Sequence, residues 1–346
     1  MNYKKNLPTI YDVAAHANVS PATVSRVFGK SGYPVSEVTH DKVMAAAISL
    51  GYAPAIKATT RLGKKVAVIT PNLDNPYYVS LITGLEYSLR LYGILMLLVN
   101  SNGDIEIERK TLQDITKQHV CGVIVVPCSD DIEHIKNAAV NGMSVVMLEH
   151  DEQDTCCSVN FNYRAGGAMA VQYFVERGCK TIGFIGSPLT RYSRLELFEG
   201  FKSELQARGI GLDRRYVYIS DKETRANASQ GYYNYEHKNA IAQINYAIES
   251  KNLPQGIFCA NDITAICIMQ QLQQKGYQIP GDVSIIGFDN IQFSEITYPA
   301  LTTIDQCIYE MGSMAADLLT KRLNNTQHKN VSTMLQPKLI VRQSVI

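Results

Sequence analysis

The stretch Thr9–Phe28, TIYDVAAHANVSPATVSRVF, decides how the rest of this sequence is interpreted. It predicts two short helices joined by a tight turn. Thr9 can cap the first helix with Asp12 as the reciprocal partner of a capping box, and Asn18 tolerates the left-handed backbone that the turn requires. Such a helix–turn–helix places its second helix in the major groove of DNA.

The second and third helices complete a small three-helix head. Ser20 can cap the second helix, and Pro21 suits its first turn, where a missing N–H costs nothing. A third helix is predicted from Ser36 to about Leu50. Residues expected to face the interior of the head are Val19, Val24, Val27, Val43, Ala46, Ala47 and Leu50. Residues expected to face outward on the second helix are Pro21, Ala22, Ser25 and Arg26.

The charge of the chain is distributed unevenly. Residues 1–65 carry nine Lys/Arg and three Asp/Glu, a net charge of +6, whereas the other 281 residues carry a net charge of −5. This asymmetry indicates a head that binds a polyanion, attached to an acidic body. A basic terminus that is merely solvated is the alternative. A length of 346 residues predicts two or three folding units.

From Val66 onward, short apolar runs alternate with amphipathic stretches. The runs are VAVIT, ILMLLVN, GVIVVP, SVVMLE, TIGFIG, YVYIS, GIFCA and VSIIGF. Continuous runs of this length predict buried parallel strands in βαβ units. There are too many for one sheet, so we expect an α/β body of two doubly wound lobes. Ligands of such folds bind at the carboxyl ends of the strands.

Several classes of protein are disfavoured by what the sequence lacks. The eight cysteines form no C-x-x-C pair, so reduced thiols are expected rather than a metal site or disulfides. No P-loop, G-x-S-x-G or other catalytic or cofactor motif is present, so neither an enzyme nor a cofactor is expected. There is no signal-peptide pattern and no apolar run long enough for a bilayer. A cytoplasmic protein without a membrane partner is predicted.

The pattern T-I-Y-D-V-A-x-x-A-x-V-S-x-x-T-V-S-R-V resembles the head of the lactose-repressor (LacI/GalR) family. Blocks along the body resemble it too: NPYY at 75–78, ERGCKTIGFIG at 176–186, AND at 260–262, IGFDN at 286–290 and YPALTTIDQ at 298–306. The resemblance implies a helix-turn-helix head (1–50), a hinge (51–65) and a periplasmic-binding-protein-like body (66–346). It implies a DNA-binding transcriptional regulator, expected to be a repressor.

The resemblance also implies which residues contact DNA. Base edges would be read by Pro21, Ala22, Arg26 and, from the first helix, Tyr11. Arg26 is the best candidate for a bidentate contact to guanine. Phosphate contacts would come from Ser20, Thr23, Ser36, Thr39 and His40, with Ser25 on the same outward face. For each of these residues, the alternative is that it is simply a solvent-exposed surface residue with no contact to DNA.

The linker departs from the family pattern. The family commonly has a hinge helix with a Leu that wedges into the minor groove. Here Ala55 replaces the usual Asn, Thr59 the usual Arg and Arg61 the wedge Leu, while Leu62 lies one residue late. Arg61 could enter a narrow minor groove electrostatically. A solvated basic linker is the alternative.

The effector site implied by the resemblance lies between the lobes. Its predicted residues are Tyr77, Tyr78, Arg191, Asn261 and Asp289. The tyrosines would stack on a sugar or base, Asp289 would accept hydrogen bonds, and Arg191 and Asn261 would donate them. Tyr78 could instead pack in the core, and Asp289 could cap the segment after Asn290.

Two departures alter the charge expected in this site. Leu197 stands where the family often has Arg, and Arg194 either replaces that Arg or lies on the surface. Asn162 stands where Asp is common. The effector is expected to be a sugar or sugar derivative, such as a sugar phosphate, although the lost charge argues against a typical neutral sugar.

The resemblance predicts a C2 homodimer on a pseudo-palindromic operator. The chain ends without a leucine-heptad tail, which favours a dimer over a tetramer. A regulator controlled by a protein co-effector and, less so, a sugar-processing enzyme remain alternatives. A solute-binding protein for transport is disfavoured by the basic head and the absent signal peptide.

Overall fold

The computed structural model describes residues 8–28, 35–50, 52, 64–152, 154–220, 232–324 and 329–346. Two compact units, the N-terminal head and the α/β body, are described separately. The predicted domain boundaries at residues 50 and 65 stay predictions, although the first strand of the body begins at Lys64.

The head is built from three helices, α1 (Ile10–Ala17), α2 (Pro21–Phe28) and α3 (Glu37–Leu50). The predicted capping box is present. The side chain of Thr9 accepts a hydrogen bond from the Asp12 backbone, and the Asp12 carboxylate accepts one from the Thr9 N–H at 2.6 Å. Asn18 ends α1 with a φ of 54°, as the predicted turn requires. The predicted interior residues pack into one core with Val13 and Ala14.

The first lobe follows from Lys64 as alternating strands and helices. Its elements are β1 (Lys64–Thr70), α4 (Pro76–Leu91), β2 (Ile94–Asn100), α5 (Ile105–Thr116), β3 (Gly122–Val125), α6 (Glu133–Val140), β4 (Ser144–Leu148) and β5 (Cys157–Phe161). Its sheet has the order β11-β5-β4-β3-β1-β2, where β11 (Ser332–Leu335) arrives from the C-terminal part of the chain. β11 pairs parallel to β5.

The second lobe contains most of the remaining elements. They are α7 (Tyr163–Glu176), β6 (Ile182–Gly186), α8 (Tyr192–Ala207), a 3₁₀ turn (Arg214–Tyr216), β7 (Val217–Ile219), α9 (Tyr232–Glu249), β8 (Gly256–Cys259), α10 (Asp262–Gln274), β9 (Ser284–Asp289), α11 (Phe293–Ile296) and β10 (Thr302–Asp305). Its sheet has the order β12-β10-β9-β8-β6-β7, with β12 spanning Lys338–Ile340.

The chain passes between the two lobes three times. It leaves the first lobe after β5, returns after β10 as α12 (Ile308–Asn324), and crosses again between β11 and β12. α12 packs against β3, β4 and β5 of the first sheet. Because three segments join the lobes, their relative motion is restricted to changes that all three connections allow.

The predicted fold class, a helix-turn-helix head with a two-lobe α/β body, is confirmed. All eight apolar runs form strands, β1–β4 and β6–β9. The apolar runs did not predict four other strands, β5, β10, β11 and β12. Their sequences, CSVNF, TTID, STML and KLI, mix polar residues with apolar ones or are very short. The sheets are mostly parallel, as predicted, and the exception is one edge, where β12 pairs antiparallel with β10. An edge strand has one neighbour and can enter in either direction.

Helices α7 and α8 cross at a contact between glycines. A Cβ on Gly200 would collide with the carbonyl oxygen of Arg164, and a Cβ on Gly167 would collide with that of Leu197. The absence of side chains lets the two backbones approach closely, as in other small-residue helix contacts. This contact fixes α8, which contains Arg194 and directly follows Arg191, the two arginines of the cleft described below.

Gly200→Ala should therefore destabilise the body by about 1–3 kcal/mol, because the helices must separate to admit one methyl group. Gly211→Ala is the matched control, since a Cβ there meets nothing within 4 Å. Thermal unfolding followed by circular dichroism measures both. Equal midpoints for the two variants would contradict the close-packed crossing.

Candidate functional site

The carboxyl ends of both sheets face one cavity between the lobes. Its volume is about 470 Å³ including its opening to solvent, within the usual range for small-molecule sites. The structure brings all five predicted effector residues, Tyr77, Tyr78, Arg191, Asn261 and Asp289, to its wall. Their roles toward a ligand stay predictions. The reason they meet is topological, because parallel strands end at the same edge of each sheet.

The two tyrosines begin helix α4 in the first lobe. The Asn75 side chain accepts a hydrogen bond from the Tyr77 N–H at 3.0 Å and so caps this helix. The tyrosine rings meet edge to face, with centroids 5.0 Å apart. Both are buried, at 4% and 2% exposure. Core packing therefore accounts for much of their surface, as the alternative for Tyr78 anticipated.

Arg191 joins the two lobes. It precedes α8 in the second lobe, donates to the Glu149 carboxylate at 2.9 Å and to the Tyr78 hydroxyl at 3.0 Å. Both Glu149 and Tyr78 belong to the first lobe. Burial disfavours the charged form of Arg191, but Tyr78 and Glu149 beside it raise its pKa above the ordinary value. The guanidinium is therefore charged, and its charge is balanced inside the protein.

Glu149 was missed by the sequence analysis. It is 7% exposed and follows β4 with a φ of 55°. A non-glycine residue with positive φ is uncommon and is held only by its surroundings. The signal was available, because Glu149 ends the apolar run SVVMLE in the way that Asp289 ends VSIIGFD.

Arg194 lies in the cleft rather than on the surface. Its side chain lines the cavity at 13% exposure, donates to the Pro188 carbonyl at 3.3 Å and lies 3.8 Å from the Glu236 carboxylate. Leu197 is buried one turn further along α8. The Arg194 guanidinium thus supplies a positive charge in the cleft, although Leu197 occupies the position where the family often has Arg.

Asn162 has a structural task. Its side chain accepts a hydrogen bond from the Ala165 N–H at 3.1 Å and caps α7, and it donates to Gln336 at 3.1 Å. An Asp would also serve as the cap, so the substitution removes charge without removing the helix start.

Asp289 ends β9 with a φ of 127° and 5% exposure. It accepts a hydrogen bond from the Gln306 amide at 2.6 Å. Burial, then the charge of Asp262, raises the pKa of Asp289 well above its ordinary value. The cap for the segment after Asn290 is instead Asp262, which accepts from the Ile291 N–H at 2.9 Å and the Ser294 hydroxyl at 2.7 Å. Asp289 is therefore not used as a cap.

Asn261 is shared between structure and cavity. Its side-chain oxygen accepts from the Thr264 N–H at 2.7 Å and caps α10, while its amide donates to Glu236 at 3.4 Å. Only part of its hydrogen-bonding capacity remains for a ligand. Glu236, on α9, is a second buried acid that the sequence analysis missed.

Four buried polar atoms at the cavity wall have no hydrogen-bond partner among the described residues. They are Oε1 of Glu149, Nε of Arg191, the hydroxyl of Tyr163 and Oε1 of Gln306. Buried polar groups are normally paired, so each such atom requires an explanation. Two acceptors, one donor and one hydroxyl thus belong to residues that line a single cavity, which favours a ligand that has both donors and acceptors.

In the head, the outward face of α2 is as predicted. Pro21, Ala22, Ser25 and Arg26 are exposed, and Tyr11 on α1 is 70% exposed. The predicted phosphate-contacting hydroxyls form two matched pairs at helix starts. Ser20 bonds Thr23 and Ser36 bonds Thr39, each at 2.8 Å between oxygens. His40 is half-buried beside Asp41, at 3.4 Å.

The two hydroxyl pairs cap α2 and α3, and helix N-termini favour anions such as phosphate. Their structural role as caps and their predicted role toward DNA are compatible. Arg61 and the linker departures at Ala55, Thr59 and Leu62 lie outside the described residues.

The described residues contain neither a metal-binding cluster nor a membrane-spanning helix. No group of three or more His, Cys, Asp or Glu side chains there could hold a metal ion. No helix in that part of the chain has the length and apolar character needed to span a bilayer.

Comparison with known proteins identifies the family. Residues 9–55 match the bacterial regulatory proteins of the lacI family, and residues 171–345 match the periplasmic binding protein-like domain. The HTH-type transcriptional repressor PurR of Photorhabdus laumondii is 30% identical over 347 residues, covering 98% of this chain and 97% of its own.

Solved structures agree with this assignment. The transcriptional regulator CelR in complex with cellobiose is 25% identical with a TM-score of 0.71, covering 97% of this chain and 99% of its own. A LacI family regulator of Enterococcus faecium with bound ribose is also 25% identical with a TM-score of 0.71, covering 82% and 98%.

The chain belongs to the lacI family of bacterial regulatory proteins. It is a DNA-binding transcriptional regulator with a periplasmic-binding-protein-like body, as predicted. Its relatives are regulators and not enzymes. The contacts that individual residues make with operator and effector stay predictions.

Arg26→Ala should reduce the preference for operator over unrelated DNA, because a bidentate contact to guanine is worth about 1–3 kcal/mol of discrimination. Lys42→Ala, which removes one exposed charge from α3, should weaken binding to all DNA alike. Fluorescence anisotropy at several salt concentrations distinguishes the two. An unchanged ratio of operator to unrelated binding in Arg26→Ala would refute the contact.

Proposed function

We propose that this regulator is a repressor whose operator affinity is controlled by a neutral, hydroxyl-rich small molecule, such as a sugar, in the cleft between the lobes. The carrying observation is the set of unpaired buried atoms at the cavity wall, Glu149 Oε1, Arg191 Nε, Tyr163 OH and Gln306 Oε1. Hydroxyl groups both donate and accept, so one sugar could pair all four.

The charges of the cleft favour a neutral ligand over a sugar phosphate. Arg191 is paired with Glu149, and Arg194 faces Glu236. Asp289 adds a third buried carboxylate. A phosphate would have to draw a guanidinium away from its carboxylate and leave a buried charge unpaired, which is strongly unfavourable. The proposed neutral ligand departs from the sequence analysis, in which sugar phosphates were included and the lost charge at Leu197 and Asn162 argued against a typical neutral sugar.

Relatives support a sugar as the ligand class. Two structural relatives carry cellobiose and ribose in their descriptions. The tyrosine pair, although mostly covered by core packing, lines the cavity and adds aromatic carbon to its wall, against which sugar rings can pack.

In the head, we infer that Pro21, Ala22, Arg26 and Tyr11 read base edges and that the capped starts of α2 and α3 bind phosphates. Their exposure supports this division, because side chains that read bases must be able to reach into a groove. A protein that acts on DNA in this way works in the cytoplasm of a bacterium.

The proposed mechanism is a ligand-dependent shift between lobe arrangements. A ligand that binds one arrangement better moves the population toward it. A coupling of about 1–3 kcal/mol would change operator affinity by about 5–150-fold. The cleft residues come from both lobes, which supplies the differential contacts that such a shift needs.

The function is tested by a thermal-shift screen of full-length protein with sugars, phosphosugars and nucleosides, followed by operator binding with each hit. We expect a neutral sugar to raise the Tm and to change operator affinity. Asp289→Asn should abolish both responses, because the acceptor for ligand hydroxyls is lost. Asp114→Asn, which removes an exposed charge on α5, is the control. Failure of every neutral compound to affect operator binding would overturn the proposal.

Asp289→Asn should also raise the Tm of the ligand-free protein by about 2–4 °C at neutral pH. The pKa of this buried carboxyl is raised in the folded state, so its ionised form opposes folding, whereas the amide keeps the Gln306 contact. The gain should shrink as the pH falls, since the wild-type carboxyl then becomes protonated.

We propose that the protein acts as a homodimer and that one part of the interface lies at α11. Phe293, Ile296 and Tyr298 are 50%, 77% and 88% exposed within six residues of sequence. Clustered exposed apolar side chains indicate an association surface, and a second copy would bring two heads to a pseudo-palindrome.

Ile296→Asp should therefore raise the dimer dissociation constant by at least about tenfold, because it buries a charge in an apolar contact. Val140→Asp on α6, where the native side chain is 72% exposed, is the control. Sedimentation equilibrium measures both. A monomeric wild type, or a dimer untouched by Ile296→Asp, would contradict this interface.

A further inference from the structure

Each guanidinium of the cleft is faced by a buried carboxylate from a different element. Arg191 pairs with Glu149 across the lobes at 2.9 Å, and Arg194 lies 3.8 Å from Glu236. The exposure of these side chains is 13% or less. Neither arginine thus presents an uncompensated positive charge to the cavity.

Glu236 is held in place from three sides. Its Oε1 accepts a hydrogen bond from the Ser187 hydroxyl, and its Oε2 accepts from the Thr264 hydroxyl at 3.0 Å and the Asn261 amide at 3.4 Å. Ser187 follows β6, whereas Asn261 and Thr264 begin α10. Glu236 does not itself line the cavity, but two of its partners, Arg194 and Asn261, do.

Asp289 is a third buried acid, and it lies at the cavity wall. Among the described residues it forms no ion pair, and its hydrogen-bond partner is the neutral amide of Gln306. The carboxylates of Asp262, Glu149 and Glu236 all raise its pKa, in addition to the larger effect of burial. The described part of the cleft therefore holds three acids against two arginines.

We propose that Glu149 and Glu236 are specificity-determining residues that exclude anionic ligands, so that phosphorylated or carboxylated forms of an effector are rejected while the neutral form binds. The inference rests on the proposed effector function of the cleft. An anion could use Arg191 or Arg194 only by displacing a buried carboxylate, and it would also approach Asp289. Like charges placed together in a desolvated site repel each other strongly. Selectivity here arises from repulsion of the wrong ligand.

The test compares wild type with Glu149→Gln and Glu236→Gln, using sulfate, D-glucose 6-phosphate and D-glucose as probes. Glutamine keeps an oxygen acceptor and removes the charge that compensates an arginine. Glu204→Gln is the matched control, because it removes one carboxylate from an ion pair with Arg208 at 2.8 Å on the same helix as Arg194. Calorimetric titration and thermal shift are measured at fixed ionic strength on full-length protein.

We expect sulfate and the phosphosugar to bind at least about tenfold more tightly to Glu149→Gln and Glu236→Gln than to wild type or Glu204→Gln. The ratio of phosphosugar affinity to glucose affinity should also be higher in Glu149→Gln and Glu236→Gln than in wild type. Equal anion affinity in all four proteins, or anion binding by wild type as tight as by the variants, would overturn the inference. The two carboxylates belong to different lobes, so a folding defect in one variant leaves the other as the test.

These outcomes are separable from failure of the proposed function. If no neutral compound changes operator binding by wild type, the effector proposal fails whatever the anions do. If neutral sugars act but the variants gain no anion affinity, the effector proposal stands and the exclusion of anions is wrong.

Discussion

The ion pair between Arg191 and Glu149 is the interaction on which the cleft depends. Arg191 precedes the first turn of α8 in the second lobe, and Glu149 follows β4 in the first, so neither lobe balances its buried charge alone. Removing one partner would leave an uncompensated charge in a poorly solvated site, which costs more than the pair itself gains. The lobes are therefore held in an arrangement that keeps the two groups together, and Tyr78 reinforces it through its hydrogen bond to Arg191.

Two strained backbone positions lie at the same cavity. Glu149 and Asp289 both have positive φ, at 55° and 127°, and both end strands that face the cavity. Such conformations cost about 1–3 kcal/mol each and persist where surrounding structure enforces them. Here the strained backbone places the carboxylates of Glu149 and Asp289 at the wall of the same cavity. Three segments of the chain join the two lobes. A ligand that contacts residues of both lobes can therefore affect the positions of both sheets.

Some cleft residues could be found from the sequence and others could not. Tyr77, Tyr78, Arg191, Asn261 and Asp289 meet at one cavity because each follows a strand or begins a helix at the carboxyl edge of a sheet. Glu149 obeys the same rule and could have been included.

Glu236 lies within α9, in the stretch YYNYEHKN, where no apolar run or motif marks it. It reaches the cleft only because α9 packs beside β6 and α10. The position of Arg194 depended in the same way on the crossing of α7 and α8, which sets how α8 is rotated toward the cavity.

By itself, the sequence determined the features that depend on neighbours along the chain. The capping box at Thr9 and Asp12, the left-handed Asn18 and the apolar runs of eight strands are local, because caps and periodicity act over a few residues. Tertiary structure alone decided the antiparallel entry of β12 and the pairing of buried charges. Arg191 and Glu149 are 42 residues apart, and only the packing of two lobes brings their charges within reach of each other.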